Sequence, residues 1–224
     1  MKINNLIAKK LVKSFWDGDK ELKVIKNIDF EFKRGASYAI TGASGSGKST
    51  LIHLLGGLDT PTGGQVLFDN KNIFKLKQRE KEKTLSLSLG FVFQFHYLIK
   101  ELTVLENIIL PGLILEKSKK ESIQKAELLL NKVGLTEKRD SYPTQLSGGE
   151  QQRVSILRAI FNEPSFLLAD EPTGDLDVQN AQIITDLLLT CQKEWGMGLI
   201  LSSHDSLVYE KMTNILKLEN GILR

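Results

Sequence analysis

The chain is poor in cysteine, in net charge and in long apolar runs, and each shortage excludes a class of protein. A single cysteine, Cys191, among 224 residues cannot close an internal disulfide, and it supplies neither the framework of a small secreted domain nor a Cys-rich zinc site. A reducing compartment is expected. Lys and Arg number 30 against 27 Asp and Glu, a net charge of +3 with 25% charged residues. This is the average of soluble domains and gives no one-sided field to recruit nucleic acid. The most apolar stretch, residues 98–115, is interrupted by Lys100, Glu101, Glu106, Asn107 and Pro111, whereas a membrane span needs ~20 mostly uncharged residues. Residues 1–10 are broken by Lys2, Asn4 and Asn5 before an apolar secretory core of ~7–15 residues could form. Export by that route is not expected, and work at a membrane would need a partner to hold the chain there. Internal repeats and low-complexity linkers are absent from the sequence as well.

What is present suffices for a full-sized core: 41% of the residues are hydrophobic, and the length suits one domain spanning 1–224. Short β-like runs alternate with helical patterns, the signature of an α/β fold with a largely parallel sheet. Residues 37–40 (Ser-Tyr-Ala-Ile) read as a buried strand, followed by a Gly/Ser-rich turn and a helix from Lys48 to about Leu55. Residues 65–68 run into Asp69-Asn70, a pair that tolerates the positive φ of a tight hairpin turn. The N-terminal third is therefore expected to add antiparallel strands. Ile123, Ala126, Leu129, Leu130 and Val133 recur at helical spacing before Gly134, which predicts an amphipathic helix with a glycine stop. A helix from near Gly149, a buried strand at 166–169, a long helix from about Val178 to Trp195 and a strand at 199–202 complete the pattern. A helical insert, taken as a subdomain over about 95–158, interrupts the alternation.

Residues 42–50, Gly-Ala-Ser-Gly-Ser-Gly-Lys-Ser-Thr, match the phosphate-binding loop pattern G-x-x-x-x-G-K-[ST] between a predicted strand and helix. Gly42, Gly45 and Gly47 let the backbone wrap a phosphate, Ser44 and Thr50 lie in the same loop and helix start, Lys48 reaches the β- and γ-phosphates, and Ser49 suits Mg²⁺. Asp170 and Glu171 end the apolar run 166–169. There Asp170 is the expected Mg²⁺ contact, and the longer Glu171 is the expected general base for an attacking water. Residues 146–151, Leu-Ser-Gly-Gly-Glu-Gln, open a helix with a hydroxyl and two glycines. Taken alone, Ser147, Gly148, Gly149 and Glu150 are a helix cap with turn glycines or a second phosphate clasp.

The phosphate loop, this hexapeptide and Asp170-Glu171, taken in order, resemble the ATP-binding cassette (ABC) ATPase subunits over essentially the whole chain. The resemblance implies a P-loop NTPase fold of the ABC type, with a RecA-like core, an N-terminal antiparallel β subdomain and a helical insert. It implies ATP and Mg²⁺ as cofactors, ATP hydrolysis, and a head-to-tail homodimer in which Ser147 and Gly149 of one copy close over the γ-phosphate held by Lys48 of the other. On the same resemblance Gln94 matches the glutamine that links Mg²⁺ and water to the membrane partner. His204 matches the histidine that contacts the γ-phosphate, and residues 175–177 match the loop that crosses the dimer interface. Asp177 is equally readable as a plain helix cap. Phe15 stands where the family stacks an aromatic ring on adenine; tyrosine is commoner there, but the ring face does the stacking.

Within the family, residues 53–59, 93–98, 102–107 and 169–174 are similar to the ATPases of bacterial lipoprotein-releasing transporters. That group lies beside macrolide-exporter ATPases and a cell-division ATPase that regulates envelope remodelling. Departures include Ser203-His204 for Thr-His and Asp175 where Asn is common. The resemblance implies integral membrane permease subunits, a peripheral position on the cytoplasmic side of the inner membrane, and no nucleic-acid partner. The mixed-charge stretches 71–83 and 117–125 are expected to be solvated faces. Residues 95–115 are expected both to pack in the insert and to receive a cytoplasmic helix of the permease.

Overall fold

A computed structural model describes residues 5–224; Met1 to Asn4, part of the N-terminal stretch read above, lie outside the described residues. Two sheets are stacked. Strands β1 (Leu6–Asp17), β2 (Lys20–Phe32), β4 (Gly63–Phe68) and β5 (Lys71–Asn72) form an antiparallel sheet in the order β2-β1-β4-β5. Strands β3 (Ser37–Thr41), β6 (Leu89–Val92), β7 (Phe166–Asp170), β8 (Gly198–Ser202), β9 (Asn214–Glu219) and β10 (Ile222–Leu223) form a second sheet. Its order is β10-β9-β3-β8-β7-β6, parallel except for the terminal β9-β10 hairpin.

The parallel strands are short, almost wholly buried apolar runs, as expected where both faces of a sheet are covered. Their side chains alternate between two cores. Tyr38, Ile40, Phe166, Leu168 and Ile200 face one that also holds Leu11, Ile25, Phe32 and Leu54, from the antiparallel sheet and from α1 (Lys48–Leu55). Ala39, Leu167, Ala169, Leu199 and Leu201 face the other, with residues of α3 (Val104–Ile114), α4 (Lys119–Lys132), α5 (Gly148–Ile160) and α6 (Val178–Trp195). The period of two in these strands is thus what separates the layers.

The predicted hairpin turn at Asp69-Asn70 is present, with φ of 54° and 61°, and Gly134 leaves α4 at φ 69°. The long β1-β2 hairpin gave no clear signal in the sequence, because register shifts between Ala8 and Ser14 break its alternation. Helix α2 (Gln78–Ser88) was unassigned for the opposite reason: it has no fully buried residue, so no apolar stripe marks it. Helix α3 starts at a Thr103/Glu106 capping box and carries Pro111 inside. Asn162 donates to the Pro111 carbonyl at 3.0 Å. The fully buried Asn107 ties α3 to the preceding loop through Ile99, Leu102 and Thr103. The charged stretches behave as expected of solvated faces, with Lys71 paired to Glu80 and Lys125 to Glu163 at the surface. A short helix α7 (Ser206–Tyr209) follows β8.

Helix α5 lies against β6 at very close range. A Cβ on Gly90 would stand 2.4 Å from the Ala159 carbonyl oxygen, a backbone atom that cannot turn aside. Gly90→Ala is therefore expected to lower stability by roughly 1–3 kcal/mol, read as a shifted urea midpoint at unchanged slope; an unshifted midpoint would show that the two elements separate easily.

Candidate nucleotide site

The parallel register aligns the carboxyl ends of the central strands: Ile40 pairs with Ser202, and Ser202 with Asp170. Loops leaving β3, β6, β7 and β8 therefore open on one edge of the sheet, where ligands of open α/β sheets bind. The four loops carry the phosphate loop, Gln94, Asp170-Glu171 and His204.

The phosphate loop ends at Gly47, whose φ is 101° and whose Cβ, if present, would lie 2.7 Å from Val24 Cγ1. Glycine is thus required there on two counts. Helix α1 begins at this residue with neither a side-chain cap nor an acidic residue in its own first turn, so its N-terminal N–H groups and dipole face the loop. Lys48, buried, donates through Nζ to the carbonyls of Gly42 and Ala43 at 3.1 and 3.3 Å. The same atom lies 3.5 Å from Glu171 Oε1.

The acidic pair is organised by a residue that sequence reasoning missed. Ser202, fully buried at the end of β8, donates to Asp170 Oδ1 at 2.6 Å and accepts from the Glu171 N–H at 2.9 Å. Its one hydroxyl therefore fixes the Asp170 carboxylate and the Glu171 backbone together. Asp170 Oδ1 also accepts from Ser49 Oγ at 3.0 Å, and Oδ2 lies 3.7 Å from His53 Nε2. Glu171 adopts φ 45°, a conformation costly for a residue with a side chain and characteristic of functional positions. It aims the carboxylate between Lys48 and His204, whose Nδ1 lies 3.0 Å from Glu171 Oε2. A carboxylate only accepts, so His204 carries its proton on Nδ1 in this contact. The sole sequence signal for Ser202 was a polar residue closing an apolar strand. His53 had no signal beyond its place on α1 and in the segment 53–59 that carries the resemblance.

Gln94 lies farther along the same edge and donates through Nε2 to Asp175 Oδ1 at 3.1 Å. Phe15 is 43% exposed on β1. Lys13 Nζ sits 4.9 Å from its ring centroid. Ser147 caps α5 in a reciprocal box: its Oγ accepts from the Glu150 N–H, while Glu150 Oε2 accepts from the Ser147 N–H at 2.8 Å and from Ser147 Oγ at 2.9 Å. The Ser147 N–H beside the carboxylate holds the Glu150 pKa below its usual range. Gly149 packs on the start of α6, since a Cβ there would stand 2.6 Å from Asn180 Oδ1. Asp177 does cap α6, accepting from the Asn180 N–H at 2.9 Å.

Two groups therefore emerge. Lys48, Ser49, Asp170, Glu171 and His204 are joined by direct contacts. Ser147, Gly148, Gly149 and Glu150 are not: among the described residues none of them hydrogen-bonds to Lys48, Ser49, Asp170 or Glu171. Among the described residues there is also no cluster of three or more His, Cys, Asp or Glu with metal-site geometry, and no helix long and apolar enough to cross a membrane.

Comparison with known proteins identifies the family. Residues 25–174 match the model of the family described as ABC transporter. The chain is 45% identical over 218 residues to the lipoprotein-releasing system ATP-binding protein LolD of Idiomarina loihiensis, covering 97% of this chain and 96% of that protein. It is 43% identical over 218 residues to LolD of Legionella pneumophila, with the same coverage. Among solved structures, the dimeric bacterial ABC transporter cassette MJ0796 superposes with a TM-score of 0.90 at 37% identity, covering 98% of this chain and 96% of that one. The same cassette in a dimeric post-hydrolysis state bound to ADP and Pi gives 0.89 at 37% identity and the same coverage. With the family pattern matched, the fold shared and the phosphate loop, acidic pair and histidine in contact, the chain belongs to the ABC transporter family, as an ATP-binding subunit that hydrolyses ATP.

Proposed function

We propose that this chain drives the release of lipoproteins from a membrane, as the ATPase subunit of a lipoprotein-releasing ABC transporter. The observation that carries the reading is identity above 40% to LolD proteins across nearly the full length of both chains. Two copies bind ATP head to tail, the dimer docks on integral membrane permease subunits, and the chain is peripheral, on the cytoplasmic side of the inner membrane. The dimeric cassettes that superpose on it support the two-copy arrangement. The separation of the α5 cap from the Lys48 cluster supports the head-to-tail order, because a clasp that cannot serve its own phosphate loop is suited to a neighbour's.

In this reading the backbone of Gly42, Ser44, Gly45 and Gly47, with Thr50 at the start of α1, cradles the β- and γ-phosphates. Lys48 neutralises them, and the Phe15 ring stacks on the adenine. The donor set suits Mg²⁺: a hydroxyl and a carboxylate 3.0 Å apart, Ser49 and Asp170, are the hard oxygens that this ion takes alongside substrate phosphate. Gln94 is the further candidate ligand, through the oxygen of a carboxamide whose nitrogen is committed to Asp175. Mg²⁺, when bound, supplies charge neutralisation at the phosphate oxygens. Glu171 orients a water in line with the γ-phosphate and takes its proton as the new P–O bond forms. The bond from the γ-phosphorus to the bridging oxygen breaks, and ADP leaves with that electron pair. His204, tied to Glu171, faces the γ-phosphate. Ser147, Gly148 and Gly149 of the second copy close over it, with Glu150 holding their turn.

The test is to pull down tagged protein from detergent-solubilised native membranes and assay ATP turnover of the eluate with and without added lipoprotein. Co-elution of permease subunits and a change in turnover on adding lipoprotein are expected. Co-elution without any lipoprotein effect would point to another exporter or to a regulator of envelope remodelling.

A further inference from the structure

A buried carboxamide outside the residues assigned above joins three functional segments. Gln152 lies on α5 beyond the Ser147 cap, and its side chain is fully buried. Nε2 donates to the Pro172 carbonyl at 2.6 Å and to the Phe93 carbonyl at 3.4 Å. Oε1 lies 2.6 Å from His96 Nδ1 and accepts from Ser155 Oγ at 3.1 Å. A primary amide offers two N–H donors and an oxygen with two lone pairs, and each faces a partner, the single Ser155 proton being shared between Oε1 and the Gln152 backbone carbonyl at 2.9 Å. Carbonyls accept and never donate, which fixes the amide with its nitrogen toward Pro172 and Phe93. It follows that His96 presents Nδ1–H to Oε1. Reversing the amide would set oxygen against oxygen at two carbonyls around a fully buried side chain.

The two carbonyls belong to the residues that immediately follow Glu171 and precede Gln94. Arg158, farther along α5, donates to the carbonyls of His96 and Tyr97 at 2.8 and 2.7 Å, so the same helix holds the far side of the Gln94 loop. A fully satisfied buried network of this kind specifies one arrangement, since each alternative leaves a polar group unpaired at a cost of roughly 1–3 kcal/mol.

We propose that Gln152 is a positioning residue for ATP hydrolysis, registering helix α5 against the loops of Gln94 and Glu171 so that both side chains sit in their working geometry. The proposal rests on the assignment of Glu171 as base. It gives the helix that opens with the Ser147 turn a direct mechanical link to the catalytic loops of its own chain. A misplacement of about 1 Å at the reacting groups costs on the order of 10²-fold in rate, whereas among the described residues no hydrogen bond joins this amide to the phosphate loop between β3 and α1.

The experiment measures ATP affinity, turnover per bound ATP and melting temperature for the full chain carrying Gln152→Met, Ser155→Ala or Glu171→Gln. Met matches the shape and removes both donors. Turnover per bound ATP is expected to fall about 10–100-fold in Gln152→Met with affinity within a few-fold of wild type, and to stay near wild type in Ser155→Ala, which leaves both carbonyl bonds in place. A merely structural role would instead lower the melting temperature and the binding-competent fraction while turnover per bound ATP held constant, and that result overturns the proposal. Should Gln152→Met fail to fold, Gln152→Asn decides by the same criteria, because it keeps the amide but withdraws it from Pro172 by one methylene. Full turnover in Glu171→Gln would defeat the base assignment itself; loss there with normal turnover in the folded Gln152 variant defeats only the positioning role.

Discussion

Replacing Glu171 by Gln is expected to leave ATP binding intact and to slow turnover by about 10²–10⁴-fold, the span typical of a lost general acid or base. The variant keeps the size and shape of the side chain and removes its charge and its ability to take a proton. Its backbone also stays anchored, because the Glu171 N–H bond to Ser202 does not involve the carboxylate. The phosphate loop is built on other elements, and Lys48 retains its two carbonyl partners. Removing the negative charge 3.5 Å from Lys48 Nζ relieves repulsion toward the phosphates, so affinity should hold or improve. Phosphate release under saturating ATP, paired with equilibrium binding of a fluorescent ATP analogue, separates the two quantities. Unchanged turnover would remove Glu171 from the chemistry.

Lys48→Ala is expected to act on the other quantity. Its Nζ is the only ammonium in contact with the acidic pair among the described residues, and it lies inside the loop that receives the phosphates. Charge-assisted hydrogen bonds are worth about 1.5–3 kcal/mol, and each 1.4 kcal/mol is tenfold in affinity, so ATP binding should weaken by roughly 10–100-fold. The loss is compounded because Glu171 then faces the γ-phosphate without a neighbouring cation. Titration calorimetry with ATP checks this directly; wild-type affinity in the variant would show that the backbone N–H groups bind the phosphates unaided. Together the two substitutions should separate kcat from Kd, a pattern that general destabilisation of the fold does not produce.

How much was legible depended on the range of the forces involved. The buried parallel strands, α1 and α6 were readable because uninterrupted apolar runs and helical spacing are local consequences of burial on both faces or on one. The β1-β2 hairpin and α2 were not, since bulges erase the period of two in one and the other buries no residue fully enough to mark an apolar stripe. The phosphate loop, the Ser147 cap and the Asp170-Glu171 pair were legible as contiguous segments whose backbone geometry a few adjacent residues dictate.

The sequence by itself thus determined which chemical groups this protein carries, the order of its central buried strands and of α1 and α6 along the chain, and the family to which they belong. Only the tertiary structure decided which groups act on one another. Parallel pairing of β3, β8 and β7 brings the Ser202 hydroxyl between the Asp170 carboxylate and the Glu171 N–H, some thirty positions earlier in the chain. The packing of α5 on β6 delivers Gln152 to the carbonyls of Phe93 and Pro172. The dihedral turn at Glu171 swings its carboxylate to Lys48 and His204. Such contacts depend on strand register and interhelical distance, which the whole core sets by burying apolar surface, and no short stretch of chain records them.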